Sequence, residues 1–239
     1  MAMSDKELLR EIRKCRLADL SDGMDALGLV NAGSMHPDMR PIRPGIAFAG
    51  FAKTVKLIPT QRKDFQAFKT PEEYFEANGE WCRNVYQFDR LLEKEDVTDH
   101  VLVIDQGGHC AGVLGSDNML KYKMMGIVGA VIDGGGCRDS YECNLEGVNV
   151  FSTKRTYHHA TWRLEFGGYD IPIECAGVTV NPGDIVCADD DGVLVIPRDR
   201  AEEVLKFALR ILELDIEART KKYEQLGLPK DESLERLKG

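Results

Sequence analysis

The reading of the fold turns on residues 101–152, "VLVIDQGGHCAGVLGSDNMLKYKMMGIVGAVIDGGGCRDSYECNLEGVNVFS". "VLVID" at 101–105 has the length and the β-branched content of a buried strand. The glycine-rich "QGGHCAGVLG" interrupts it, and "SDNMLKYKMMG" reads as a helix starting near Asp117. "IVGAVID" is the next strand, "RDSYECNLEG" a short helix and "VNVFS" a third strand. Strands alternating with helices predict βαβ units around a parallel core.

Outward from this centre the pattern changes. Leu8, Leu9, Ile12 and Leu17 recur at helical spacing. "LADLSDGMDALGLV" predicts a second short helix, with Ser21 as its N-cap and Gly28 as its stop. Residues 45–59, "GIAFAGFAKTVKLIP", predict a strand or a bent strand pair, and residues 60–95 a polar, aromatic-bearing helical segment that is partly exposed. On the far side, "DIPIECAGVTVNPGDIVCADDDGVLVIP" is a series of short β runs punctuated by turns, the pattern of a meander or small barrel-like layer. A long amphipathic helix over about 199–225 follows, with Ala201, Val204, Leu205, Ala208 and Leu212 on one face. The tail from Leu228 reads as a loosely held extension. Without repeats, linkers or low-complexity tracts, a single domain over 1–239 is expected.

Composition narrows the function. With 239 residues, 43% hydrophobic and 30% charged, the chain has the makings of an ordinary globular core. A net charge of -9 argues against a nucleic-acid binder working through a basic surface. No apolar run approaches the roughly 20 residues of a membrane span. The charged start "MAMSDKELLREIRKCR" lacks a signal peptide's apolar core, so a cytoplasmic protein is expected. Seven scattered cysteines without a C-x-x-C pair read as reduced thiols.

The chemistry gathers in one place. Asp117 and Arg138 bracket twenty residues, one helix and one strand, so both follow consecutive strands at the same end of a parallel sheet. Ligands of open α/β sheets bind outside the carboxyl ends of the strands. Asp117, Arg138, Asp139 and Glu142 therefore converge on one pocket, unless both segments are simply helix starts, where Asp is a favoured cap. Carboxylates without histidine or thiol partners suit Mg²⁺ or Mn²⁺. An arginine fork suits a carboxylate or a developing enolate oxygen, and the amides of Asn118 and Met119 at a helix start suit a substrate carboxylate. Together they describe a site for a small 2-keto acid. Gly134, Gly135 and Gly136 would allow close backbone approach.

At these residues the sequence resembles the class II pyruvate aldolases typified by 4-hydroxy-4-methyl-2-oxoglutarate aldolase, which share a fold with the regulator of ribonuclease E activity A. The shared hallmark is an Asp, twenty residues and Arg-Asp, often with an acid three residues on, here Asp117, Arg138, Asp139 and Glu142. "LADLSDGMDALG", "GVTVNPGDIVCADDDGVLVIP" and the helix ending "EARTKKYEQLG" match as well, so the likeness covers nearly everything outside about 60–98. It implies an α/β fold, a layered α/β/β sandwich like a swivelling phosphohistidine-type domain, assembled as a homotrimer or homohexamer. It implies that Asp139 ligates the divalent metal and that Asp117 holds it through water. Arg138 would bind the keto oxygen and steady the enolate, and Asn118 and Met119 would hold the pyruvyl carboxylate. Glu217 of a neighbouring subunit, with Glu213 as the alternative, would complete the outer metal shell, and Glu142 would stand behind the site. The implied reaction is retro-aldol cleavage, or decarboxylation of oxaloacetate, to pyruvate. Two stretches depart from the pattern: residues 60–98 are longer and more aromatic, and "GGGC" precedes Arg138 where bulkier apolar residues are common.

Other readings compete. A non-catalytic regulator binding a ribonuclease or helicase shares the fold, but that branch commonly carries Gly where this chain has Asp117. A methyltransferase finds no cofactor-binding glycine motif. His109, in the turn at the same strand end, is a candidate substrate contact. His158 and His159 point opposite ways if extended and read as loop or interface. "ADDDG" at 188–192 reads as a tight turn and not a calcium loop. Cys137 invites a nucleophile reading, but no histidine in sequence is placed to activate it.

Overall fold

The computed structural model describes residues 3–238. After a two-residue edge strand β1 (Arg40–Pro41), the strands β2 (Phe48–Pro59), β3 (His100–Asp105), β4 (Gly129–Asp133) and β5 (Val150–Ser152) lie side by side in parallel. One row across them reads Val55, Ile104, Ile132, Ser152. Val101, Leu102, Val103 and Ile104 are all fully buried. A parallel strand covered on both faces needs such an unbroken apolar run.

The remaining strands are β6 (Leu164–Tyr169), β7 (Ile173–Cys175), β8 (Val178–Val180), β9 (Ile185–Asp189) and β10 (Gly192–Ile196). The sheet order is β1-β5-β4-β3-β2-β9-β10, with β6 also on β2 and β7-β8 a separate hairpin. Twelve residues long, β2 serves β9 with its first part and β6 with its last, and its register shifts between Lys56 and Leu57. That shift is the bend expected within 45–59. Ser34 bridges Leu194 of β10, and the chain then runs into β1 against β5, so the sheet is nearly closed and barrel-like.

The helices are α1 (Asp5–Ile12), α2 (Leu17–Ala26), α3 (Pro71–Val85), α4 (Gln87–Leu92), α5 (Ser116–Met124), α6 (Ser140–Leu145) and α7 (Ala201–Leu226). A second core packs α1, α2 and α7 onto β9 and β10 through Leu8, Leu9, Ile12, Leu20, Met24, Val204, Leu205 and Leu212. Each of these buried side chains contributes about 1.5–3 kcal/mol. Gly23 is dictated by space here: a Cβ would sit 2.8 Å from the Val204 carbonyl oxygen, so only glycine lets α2 approach α7 this closely. Among the described residues no helix is long and apolar enough to cross a membrane.

Three expectations need correction. Ser21 lies inside α2 and does not cap it; the helix starts four residues earlier, where the buried Asp19 carboxylate accepts the Arg16 amide at 2.8 Å and pairs with its guanidinium. Residues 60–69 form an irregular strap, and helix begins only at Pro71, after Thr70 accepts the Glu73 amide. The tail is held: Leu234 is buried, Arg219 donates to Ser233 at 2.7 Å, and Tyr223 donates to Asp231 at 3.0 Å.

Candidate functional site

Two consecutive strand ends build the site. After β3 the backbone of 112–115 runs beside 136–138: Leu114 bridges Cys137, and the Arg138 amide donates to the Leu114 carbonyl at 3.0 Å. Gly135 lies on Ala111, where a Cβ would come within 2.6 Å of backbone atoms. The start of α5 and the Arg138-Asp139 turn are thereby clamped side by side. The two segments expected to converge do lie side by side, with Asp117 exposed in the first turn of α5 and outside the residues that line the Arg138 pocket.

Asp139 adopts the left-handed backbone, φ 57° and ψ 37°, which Asp tolerates better than most residues. Its carboxylate lies over Gly115, in the place a Cβ there would occupy. Arg138 Nε stands 4.0 Å from Asp139 Oδ1. Arg138, Asp139, Cys137, Arg155 and Tyr157 line a pocket of about 350 Å³. Two arginines against one carboxylate on the lining favour an anionic guest.

At the start of α5 the Asn118 side chain turns back to accept the Gly115 amide at 3.2 Å. Its own amide has no partner among the described residues. The Met119 amide differs from expectation: it already donates to the Gly115 carbonyl at 3.0 Å. His109 touches the site only through its backbone carbonyl, which accepts the Gly135 amide. Glu142 is exposed in α6. Glu217 is exposed on α7 without a partner among the described residues; beyond Leu212 no α7 residue is fully buried, though Ile216 packs on the second core and Arg219 and Tyr223 hold the tail. Cys137 is buried with its Sγ 3.2 Å from that of Cys143. The hydrogen bond with Cys143 and then burial push the Cys137 thiol well up, the opposite of an activated nucleophile.

Sequence reasoning passed over Gly115 and Arg155, and it read His159 as loop or interface. Gly115 could have been suspected from its place just before the predicted helix. Arg155 and His159 reach the site through long-range pairing of residues 158–160 with Gly112, which leaves no local signal. His159 Nδ1 lies 2.6 Å from Thr161 Oγ1 and its Nε2 lies 3.3 Å from the Tyr86 hydroxyl. Burial first, then the charges of Arg138 and Arg163, push His159 down to about 4. A depressed histidine is neutral when folded but takes a proton on unfolding below its ordinary value, so its neutrality costs stability as pH falls from about 6.5 to about 4. His159→Gln is expected to flatten that part of the stability–pH profile by about 1–2 kcal/mol, read by urea unfolding at pH 4.5 and 7. An unchanged profile would show that His159 is not held neutral.

The described residues hold no cluster of three or more His, Cys, Asp or Glu side chains fit for a metal ion. The site thus offers a carboxylate-poor, arginine-bearing turn on a mixed α/β scaffold. The chain belongs to the RraA-like family described as Aldolase/RraA, whose model matches residues 17–195. It is 32% identical over 216 residues to protein DlpA of Legionella pneumophila, covering 86% of this chain but only 30% of that protein. It is 28% identical over 220 residues to a Halalkalibacterium halodurans protein provisionally named 4-hydroxy-4-methyl-2-oxoglutarate aldolase, covering 92% of this chain and 90% of the relative. Streptomyces coelicolor RraAS2, an unusual member of the RNase ES inhibitor RraA protein family, superposes with a TM-score of 0.73 at 27% identity, covering 92% and 98% of the two chains.

Proposed function

We propose that this chain is a divalent-cation-dependent lyase that releases pyruvate, by retro-aldol cleavage of a 4-hydroxy-2-oxo acid or by decarboxylation of oxaloacetate. The observation that carries this reading is the Asp139 carboxylate held over Gly115 at the start of α5, with the Arg138 guanidinium beside it. A relative carrying an aldolase name over 90% of its length supports the same reading.

The donor set fits Mg²⁺ or Mn²⁺. Magnesium typically keeps several waters and takes one or two protein carboxylates plus substrate oxygens, so a single chain offering Asp139, with Asp117 acting through water, suffices without a three-residue cluster. Such an ion, when bound, supplies Lewis-acid polarisation of the keto oxygen. The protein's own groups do the rest. In cleavage the C4 hydroxyl loses its proton, the C3–C4 bond breaks, and the electron pair moves onto the C2 oxygen. Arg138 stabilises that developing negative charge, which the substrate lacks in its ground state. Asp117, exposed in the first turn of α5, carries the proton through water. The free Asn118 amide orients the substrate carboxylate at the positive end of α5, and Met119 contributes less because its amide is already bonded.

The first experiment is pyruvate release from 4-hydroxy-4-methyl-2-oxoglutarate and from oxaloacetate, with Mg²⁺ and with chelator, alongside Mn²⁺ titration. Turnover that survives complete chelation overturns the cation dependence. Failure on both substrates together with no Mn²⁺ binding returns the chain to a protein-binding role like that named for RraAS2.

We further propose that copies assemble as trimers or hexamers, and that Glu217 reaches the site of a neighbouring copy. Its free, exposed carboxylate on α7 supports this. Glu217→Ala is expected to lower metal affinity roughly ten- to hundredfold. At a Mg²⁺ concentration that fills only wild-type sites, random trimers refolded from equal amounts of Glu217→Ala and Asp139→Asn chains should regain about one quarter of wild-type activity, because one site in four would draw both intact residues. No gain on mixing would mean that Glu217 acts within its own chain or not at all.

A further inference from the structure

A second cavity is larger than the one at Arg138. It lies alongside, about 1130 Å³, between the strap at 60–69, α3 and the start of β6. Its walls are aromatic. The Trp81 and Trp162 rings sit 4.8 Å apart, Phe68 is 5.7 Å from Trp162, and Phe65 is 5.9 Å from Trp81. Trp81 is fixed by donating its ring N–H to the Leu164 carbonyl at 2.9 Å. Trp162 takes φ +69°, a left-handed backbone that a bulky residue adopts only under constraint. Phe65 and Phe68 remain 51% and 41% exposed on this concave wall, so apolar surface is held open to water.

Although the two cavities have no lining residue in common, a chain of contacts links Arg138 to the cleft. Arg163, on its lining, donates to the carbonyls of His159 and Thr161 at 3.2 and 3.3 Å. His159 in turn meets Tyr86, and the charge of Arg138 reaches His159, Tyr86 and Cys82, the last of these next to Trp81. The Arg138 stem packs on Gly112, whose backbone pairs with 158–160. A substrate held at Arg138 that extends along residues 158–163 points its far end toward the stacked rings. Charge does not select that end, because Arg62 and Arg163 on the lining are offset by Asp64, Glu80 and Glu165. Stacking does.

We infer that the Trp81–Trp162 cleft receives an aromatic ring on the non-pyruvyl half of the substrate, making a 4-aryl-4-hydroxy-2-oxo acid the preferred class. For turnover this rests on the lyase reading above; for binding it rests on the cleft alone. Cleavage is redox-neutral. The C4 hydroxyl loses its proton, C4 leaves as an aryl aldehyde, and C3 regains a proton to give pyruvate.

The chain has only two tryptophans, and both line the cleft, so intrinsic emission reports on it directly. The probe is 2-oxo-4-phenylbutanoate, which lacks the 4-hydroxyl and is not cleaved, with 2-oxopentanoate as its alkyl control. The phenyl compound is expected to quench emission saturably and to bind roughly tenfold tighter than the control. The Phe65→Ala/Phe68→Ala double variant, altered only at half-exposed positions, should lose that preference. It should also lose any kcat/KM preference for 4-hydroxy-2-oxo-4-phenylbutanoate over 4-hydroxy-2-oxopentanoate. Quenching without pyruvate release from either substrate keeps the cleft assignment and removes the lyase reading. Pyruvate release with no quenching and equal use of both substrates does the reverse. Emission that shifts with protein concentration but not with the probe means that a second copy covers the cleft, and overturns the inference.

Discussion

Asp139→Asn is expected to abolish Mg²⁺-dependent pyruvate release, lowering kcat/KM by roughly a thousandfold or more. Asparagine is the informative replacement. It keeps the shape of the side chain and tolerates the left-handed backbone at φ 57° that alanine would strain, so lost activity reports on lost charge and not on a disturbed turn. Circular dichroism and the melting temperature should stay near wild type, while Mn²⁺ binding followed by electron paramagnetic resonance should weaken in step with turnover. Wild-type Mn²⁺ affinity in the variant would remove Asp139 from the cation site. Retained affinity with lost turnover would move its role from holding the ion to orienting substrate or Arg138.

The second large effect belongs to Arg138. Arg138→Ala is expected to lower kcat by roughly a hundred- to a thousandfold, with Mn²⁺ binding intact, since its guanidinium answers charge that develops only as the bond breaks. Arg138→Lys should recover only part of this, because a point charge does not reproduce the planar fork. Steady-state kinetics separate the possibilities: a raised KM at unchanged kcat would mean that Arg138 binds substrate and transition state equally, which contradicts the enolate role. Measured together, the two variants divide the site into a residue that loses the ion and a residue that does not.

Much of this site was legible because its parts are local. Asp117 and Arg138-Asp139 each follow a strand whose apolar run is unmistakable, and the helix between them fixes their separation. The strands then need only pair in order for the segments that follow them to lie side by side, as β3 and β4 do in register from Val101–Gly129 to Asp105–Asp133. The start of α2 was misread because Asp19, three residues beyond Arg16, caps it through a carboxylate that also pairs with the Arg16 guanidinium, a contact that a search for Ser, Thr or Asp just ahead of the helix passes by. The tail was misread because its anchors, Arg219 to Ser233 and Tyr223 to Asp231, join a helix to residues beyond its end, and Leu234 is a single apolar residue without periodicity.

The sequence by itself determined the parallel core, the long C-terminal helix and the pairing of an arginine with two carboxylates at one sheet end. Those features follow from periodicity and from spacing along one stretch of chain, which short-range physics controls. Only the tertiary structure decided what surrounds that group. Trp81 meets Trp162, Gly112 meets His158, and Arg155 turns in to the carbonyls of Pro41 and Ile42 at 3.2 and 3.0 Å. These contacts join segments 46 to 114 residues apart, and they form only when burial of the sheet folds the strap, α3 and the loop before β6 onto the same face.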